Sequence, residues 1–256
     1  MINIHPAAAC GFERSASSYV TGRPDYPFEA IGWLRDDLHL APGKAVLDLG
    51  AGTGKFIPSL AATGASIIAV EPVAAMRSEL LGQHPGITVR GGTAQTIPLE
   101  AEAVDAVTCA QAFHWFATPQ ALAEIRRVLR PKGILGLIWN KRDESVKWVA
   151  ALSDVMRPYE GDAPRHHKLE WQKVFPAEGF GPLAERRFPH RHVGVPQEVI
   201  VERILSVSFI AALPADEQAK VAAQIWDVIN TTEELAGKSE VAFPYETVAY
   251  SAVKLG

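Results

Sequence analysis

The stretch VLDLGAGTGKF, residues 46–56, decides the fold. It opens with an apolar run of strand length and continues into Gly50, Gly52 and Gly54, which stand at alternate positions. Glycine allows a strand to turn sharply into a helix and lets a ligand lie against the backbone. An ordinary strand-to-helix turn is the alternative, but three alternate glycines preceded by Asp48 favour a turn that binds a ligand.

Strands and helices alternate on both sides of this turn. Helices are predicted at 28–40, 55–63, 74–82 and 119–129, and short apolar strands at 45–49, 66–70, 87–90, 103–110 and 134–139. This order is typical of an α/β fold in which a mostly parallel sheet carries helices on both faces.

The rhythm changes after the fifth strand. Residues 143–180 contain helical patterns and three large aromatic residues but no strand of matching length, which indicates a helical insertion. Strands at 183–193 and 240–253 and helices at 196–205 and 215–235 complete the pattern. We expect seven strands, the last of them antiparallel and at the edge. One domain is predicted, divided into an amino-terminal lid (1–28), a cofactor-binding core (29–142), a helical insertion or substrate cap (143–182) and carboxyl-terminal strands and helices (183–256).

The amino-acid composition argues against several classes of protein. The chain has 256 residues, 48% of them hydrophobic, and a formal net charge of −4, which is typical neither of disorder nor of an electrostatic nucleic-acid binder. Cys10 and Cys109 have no Cys-x-x-Cys or Cys/His spacing, so neither a disulfide framework nor a metal site is expected. Because no apolar run reaches the roughly 20 residues that span a bilayer, we expect a cytoplasmic protein without a membrane partner. The sequence leaves open whether the protein forms a homodimer.

The ligand of the glycine turn is expected to be a nucleoside. Glu71 ends the second strand, where a carboxylate can accept hydrogen bonds from both ribose hydroxyls. Dinucleotide-binding folds use such an acid as well, but their fingerprint is G-x-G-x-x-G, whereas this turn is G-x-G-x-G with Lys55 at the third glycine position. A nicotinamide cofactor is therefore the weaker interpretation.

Four segments carry a family resemblance: DLGAGTG at 48–54 followed by Glu71, GGTAQTIPL at 91–99, AQAFHWF at 110–116 and ASSYVTGRPDYP at 16–27. Together they resemble class I S-adenosylmethionine-dependent methyltransferases, which have a Rossmann-like fold. The amino-terminal stretch is similar to that of the small-molecule subgroup that includes trans-aconitate methyltransferases.

The resemblance implies a set of cofactor contacts. The glycine turn would hold the methionine portion and Glu71 the ribose, with Tyr19 and Arg23 over the methionine carboxylate. The implied residues are Tyr19, Arg23, Asp48, Gly50, Ala51, Gly52, Thr53, Gly54, Glu71, Pro72, Met76, Thr93, Ala94, Gln95 and Gln111.

Methyl transfer from a sulfonium needs few catalytic groups from the protein. A methyl group on a sulfonium is already activated, so positioning and desolvation supply most of the acceleration. If the acceptor carries a proton, His114 is the candidate base because it follows the fourth strand at its carboxyl end; a purely structural histidine is the alternative. Phe113, Trp115 and Trp139 are candidate walls of the substrate pocket, with core packing as the alternative.

The acceptor is expected to be a small molecule methylated on oxygen or carbon. The segment after the fourth strand lacks the Asn-Pro-Pro-Tyr pattern that resembles methyltransferases acting on nucleobases or amide nitrogens. The resembled subgroup suggests a carboxylate acceptor, yet the sequence shows no arginine cluster for one, since Arg142, Arg165, Arg186 and Arg191 are scattered. Two alternatives stay open: a nicotinamide-dependent oxidoreductase, and an inactive protein that binds S-adenosylmethionine.

Overall fold

The computed structural model describes residues 22–256, and seven strands form its single sheet. The strands are β1 (Ala45–Leu49), β2 (Ser66–Val70), β3 (Thr88–Arg90), β4 (Val104–Ala110), β5 (Leu129–Arg142), β6 (Ala184–Gly194) and β7 (Val241–Val253). The α-helices are α1 (Glu29–Asp36), α2 (Ile57–Ala61), α3 (Ala74–Gln83), α4 (Pro119–Val128), α5 (Lys147–Met156), α6 (Arg203–Leu205), α7 (Ser208–Ala211) and α8 (Ala215–Thr231). A π-helical turn, Gln197–Glu202, precedes α6.

The sheet order is β3-β2-β1-β4-β5-β7-β6. Strands β1 to β5 run parallel, and β7 pairs antiparallel with both β5 and β6. The predicted seven-stranded α/β fold with an antiparallel last strand is thus confirmed. The order reverses at β1, which lies between β2 and β4, and open parallel sheets bind their ligands at the carboxyl ends of the strands beside such a reversal.

The prediction that the last strand lies at the edge was wrong. Strand β7 lies inside the sheet, and β6 forms the edge. The burial patterns explain the arrangement: β7 carries a continuous buried run from Val248 to Tyr250, whereas most residues of β6 are exposed or half-buried. A strand with two buried faces is stabilised by interior placement, and a polar strand tolerates the edge.

Two hydrophobic clusters cover the two faces of the sheet. Val46 packs with α1 on one face, and its neighbour Leu47 packs with α4 on the other, because successive side chains of a strand point in opposite directions. The fully buried Trp33 of α1 and Ile125 of α4 belong to these opposite clusters. The glycine turn that follows β1 is therefore supported by packing on both faces of the sheet.

The predicted insertion contains α5 and three short 3-10 turns, Arg157–Tyr159, His166–Lys168 and Glu170–Val174. Its tryptophans contribute to two separate hydrophobic clusters. Trp148 of α5 packs in a third cluster with α8 and Phe243, whereas Trp171 lies in the main core against Trp139. No helix within residues 22–256 is both long and apolar enough to cross a membrane.

Gly136 of β5 sets how closely α1 approaches the sheet. A Cβ at Gly136 would lie 2.6 Å from a Leu38 methyl carbon and 2.9 Å from the Trp33 ring. We therefore expect Gly136→Ala to lower the free energy of unfolding by about 1–3 kcal/mol through overpacking. Gly32→Ala is the matched control, since a Cβ there meets nothing within 4 Å and the helix α1 should gain stability. Urea denaturation measures both, and equal stability of the two variants would contradict this packing.

Candidate functional site

The turn between β1 and α2 has a conformation that requires glycine. Gly50 and Gly52 have φ angles of +73° and +57°, in the left-handed region. A Cβ at Gly50 would lie 2.8 Å from the Ala112 side chain, whereas a Cβ at Gly52 would meet no atom within 4 Å. Gly52 thus presents bare backbone to an open cavity, and any side chain there would enter the space that the turn encloses.

Glu71 connects the end of β2 to this turn. Its Oε2 accepts a hydrogen bond from the Gly52 N–H at 3.0 Å, and its Oε1 accepts one from the Val73 N–H at 2.9 Å. Burial raises the pKa of this carboxyl, and the two N–H donors and Arg77 oppose the rise. Each carboxylate oxygen retains a second lone pair, so Glu71 can hold the turn and accept hydroxyl donors from a ligand as well.

The first cavity is formed by the turn, the ends of β2 and β4, and residues 23–26. Most residues predicted to contact the cofactor line it: Arg23, Gly50, Ala51, Gly52, Thr53, Glu71, Pro72, Met76, Thr93, Ala94, Gln95 and Gln111. Lys55, Phe56 and Tyr26 also line it and were not singled out from the sequence. Tyr19 lies outside the described residues.

Two predicted contacts do not reach the first cavity. Gly54 faces α3 instead, since a Cβ there would lie 2.8 Å from the His84 ring. Asp48 lies fully buried beneath the turn, where its Oδ1 accepts a hydrogen bond from Thr108 Oγ1 at 3.2 Å. Burial, with a smaller contribution from the Glu71 carboxylate and against the Thr108 hydrogen bond, raises the pKa of Asp48 to about 7. Both residues therefore support the turn from behind.

A second cavity of about 760 Å³ adjoins the first. The two share Arg23, Gln111, Trp115 and Arg203 in their walls. The second cavity extends from the carboxyl end of β5 to the insertion, and Glu160 and Arg165 belong to its wall. Two adjoining chambers can hold two different molecules with their reactive groups at the shared wall.

Arginine side chains converge on the second cavity, although the sequence indicated no such cluster. Arg142 comes from the end of β5, Arg165 from the insertion and Arg203 from α6, and all three line the cavity with Arg23. Burial, together with the charge of the neighbouring arginines, lowers the pKa of Arg142 to about 10 and of Arg165 to about 9. Arg186 lies elsewhere, in an ion pair with Asp37 at 2.7 Å.

These arginines have little compensation among the described residues. Arg203 is 5% exposed, and its Nε and Nη1 have no hydrogen-bond partner. Arg142 lies 4.0 Å from Glu144, the limit of an ion pair, and Arg165 contacts the Phe209 ring at 5.3 Å. Enclosed cations with few close counter-charges are costly, so the lining of the cavity suits an anionic ligand.

Three acidic residues of the cavity wall also have partners outside the arginine cluster. Glu160 pairs with His167 at 3.1 Å and Lys168 at 3.2 Å. Glu246 pairs with Arg187 at 2.8 Å, and Glu144 accepts a hydrogen bond from Ser153. Glu144 and Glu160 oppose the fall in the pKa of Arg142 but do not outweigh it, so the arginine cluster is only partly compensated.

His114 lines the second cavity and is fixed by an indole. Its Nδ1 accepts a hydrogen bond from Trp139 Nε1 at 3.1 Å. Burial lowers the pKa of His114 well below its ordinary value, and Arg165, His166, Arg23 and His167 lower it further. His114 is consequently neutral at neutral pH, and its Nδ1 lone pair accepts the hydrogen bond from Trp139.

The three predicted pocket aromatics separate in the structure. Trp115 lines both cavities, and Trp139 lines the second although it is only 1% exposed. Phe113 lines neither cavity; it is fully buried among Phe116, Trp171 and Phe175, so its assignment to the pocket is corrected to the core. Phe113 and Trp115 are the first and last residues of one 3-10 turn, in which successive side chains are about 120° apart.

The chain is similar to known methyltransferases in sequence and to solved methyltransferase structures in fold. A family profile described as a methyltransferase domain matches residues 47–137. An uncharacterized methyltransferase-like protein of Schizosaccharomyces pombe is 38% identical over 244 residues, which are 95% of this chain and 95% of that protein. A crystal structure of a putative methyltransferase from an antibiotic biosynthesis pathway of Anabaena variabilis has a TM-score of 0.58 at 19% identity, covering 90% of this chain and 98% of that one. A geranyl diphosphate methyltransferase in complex with SAM has a TM-score of 0.51 at 16% identity, covering 89% and 85%.

The raised pKa of Asp48 predicts a pH-dependent cost to stability. Between its usual value near 4 and about 7, the folded protein keeps a proton that the unfolded chain has lost, so the free energy of unfolding falls as pH rises. Asp48→Asn removes this titration. Relative to wild type, we expect the variant to gain up to about 1.4 kcal/mol per pH unit between pH ~5 and ~7.

Urea denaturation across that range measures the difference. Asp105→Asn is the control: burial raises the pKa of Asp105, but hydrogen bonds from Ala45 and Lys44 and the charge of Arg130 outweigh it, so Asp105 stays ionised throughout the range. A stability difference between Asp48→Asn and wild type that does not change with pH would contradict the buried titration.

Proposed function

The chain belongs to the class I methyltransferase family, and on that premise we propose that it transfers a methyl group from S-adenosylmethionine to an oxygen or carbon of a small anionic molecule. The observation that carries the proposal is the junction of the two cavities. A glycine turn suited to a nucleoside opens directly onto a chamber lined by arginines.

The residues of the first cavity fit S-adenosylmethionine. The space in front of Gly52 accepts a ligand against bare backbone, and the Glu71 carboxylate has lone pairs for two ribose hydroxyls. Met76 and Pro72 offer apolar surface, and the consecutive residues Thr93, Ala94 and Gln95 line the same cavity, which suits an adenine. When bound, the cofactor supplies a methyl group already activated by its sulfonium.

The second cavity fits the acceptor. Arginine has a planar fork of donors that matches a carboxylate or a phosphate, and enclosure strengthens such charge-assisted hydrogen bonds. Arg142, Arg165 and Arg203 reach the cavity from three separate elements, so they can bind different parts of one polyanion or a single group. The protein contributes positioning and exclusion of water, which are the main requirements of methyl transfer.

The alternative functions have less support. Similarity to methyltransferases extends over 95% of the chain, which favours methyl transfer over nicotinamide chemistry. An inactive protein that binds S-adenosylmethionine would use the first cavity alone and gains nothing from uncompensated arginines in the second. Label transfer from S-[methyl-³H]adenosylmethionine to a panel of small carboxylates and phosphate esters tests the proposal. Transfer to neutral analogues alone would contradict the anionic acceptor.

Gly52→Val should abolish cofactor binding because its side chain would fill the space in front of the turn and strain a backbone with φ of +57°. Isothermal titration with S-adenosylmethionine measures the loss, which we expect to exceed about 100-fold, or ~2.7 kcal/mol. Gly237→Val is the matched control, since Gly237 has a φ of +69° and open space but lies outside both cavities. Equal affinities of the two variants would overturn the placement of the cofactor.

Arg142→Met should weaken anion binding without affecting the cofactor. Arg142 lines only the second cavity, and a charge-assisted hydrogen bond contributes about 1.5–3 kcal/mol, so affinity for an anionic ligand should fall roughly 10-fold to 150-fold. Stability should rise, because a poorly compensated buried charge is removed.

Titrations with succinate and inorganic phosphate provide the measurement. The control is Arg130→Met, which removes an arginine that pairs with Asp105 away from both cavities. Unchanged anion affinity in Arg142→Met would remove Arg142 from the acceptor site.

A further inference from the structure

We infer that His114 serves as a fixed hydrogen-bond donor to the acceptor through its Nε2–H, and that it takes no proton during methyl transfer. This inference rests on the proposed function and deepens it, since it states how the acceptor is held and in which protonation state it reacts.

The first step of the argument is the tautomer. A neutral imidazole has one protonated nitrogen and one with a free lone pair. The indole Nε1 of Trp139 can only donate, and it lies 3.1 Å from His114 Nδ1. Nδ1 is therefore the unprotonated nitrogen, and the proton of the neutral ring is on Nε2.

The second step is the rigidity of Trp139. The indole is 1% exposed and belongs to the main hydrophobic core. Its ring contacts Trp171, with centroids 4.7 Å apart, and His166, with centroids 4.6 Å apart. The indole cannot turn its N–H away from His114 without repacking these rings, so the tautomer of His114 is set by the packing of the core.

The third step is the surroundings of the remaining nitrogen. His114 lines the second cavity with Arg23, Arg165, His166 and His167. The two arginines are cationic, and burial together with these neighbours opposes a positive charge on His114. A base at this position would become a cation among cations, whereas a neutral N–H donor adds one more hydrogen bond for an anion that the arginines attract.

The consequence concerns the reaction. The nucleophilic atom of the acceptor reaches the methyl group with a free lone pair; as its bond to the methyl carbon forms, the carbon–sulfur bond breaks and its electron pair stays on sulfur. No proton passes to His114 in this step. The preferred acceptor therefore presents an atom that is already ionised at neutral pH, and His114 positions it.

The experiment begins with the tautomer, which requires neither cofactor nor acceptor. ¹⁵N-edited spectra of the folded, imidazole-labelled full-length protein should show His114 with a pyrrole-like Nε2 and a pyridine-like Nδ1 at neutral pH. Addition of succinate or inorganic phosphate should shift the Nε2–H signal and leave the type of Nδ1 unchanged. A proton on Nδ1, or a doubly protonated ring, would overturn the inference.

Variants separate a donor from a base. His114→Gln keeps an N–H donor of similar reach and should bind succinate within about threefold of wild type, whereas His114→Phe should bind it at least about tenfold more weakly. Trp139→Phe leaves the histidine but removes the donor that fixes it, so both tautomers should appear in its spectra. Anion affinity equal to wild type in His114→Phe would overturn the role as a donor.

The results also distinguish this inference from the proposed function. If S-adenosylmethionine and the anions fail to bind the wild-type protein, the proposed function fails, whatever the tautomer. If both bind and the Nε2–H signal does not respond to the anion, only the inference about His114 fails.

Discussion

The site depends on three consecutive backbone N–H groups that tie the glycine turn to the end of β2. Gly50 and Ala51 donate to the Val70 carbonyl at 2.8 and 3.2 Å, and Gly52 donates to the Glu71 carboxylate at 3.0 Å. The turn can follow this path because two of the three residues have no side chain and take positive φ angles. The first cavity, its alignment with the second and the placement of a cofactor all follow from this link between two neighbouring strands.

Local patterns predicted the part of the fold that surrounds this link. Strands β1 and β2 begin and end at the predicted residues because each is a short apolar run bounded by glycine, proline or charged residues. The position of β7 could not be predicted in this way, since the choice between the interior and the edge depends on comparing its burial with that of β6. Similarly, periodicity could not separate Phe113 from Trp115, because both stand in one short 3-10 turn and only the packing around that turn shows which side chain enters the core.

The arginine cluster of the second cavity could not be predicted from the sequence, and the reason is physical. Arg142, Arg165 and Arg203 lie in different parts of the chain with no local motif in common, and only the packing of the insertion, α6 and the end of β5 brings them together. In the proposed account, the methyltransferase core binds the cofactor that carries the activated methyl group, and the insertion and α6 supply the charge that selects its recipient. In this account His114 links the core to the second cavity. Its hydrogen-bond partner Trp139 belongs to the main hydrophobic core, and the His114 ring lines the cavity.

A crystal structure of the protein with S-adenosylhomocysteine tests the central claim most directly. The account predicts that the ribose hydroxyls lie within hydrogen-bond distance of Glu71, that the amino-acid portion lies against Gly50 and Gly52, and that the sulfur faces the arginine chamber near Gln111 and Trp115. Ligand bound elsewhere, with the glycine turn blocked by neighbouring side chains, would contradict it.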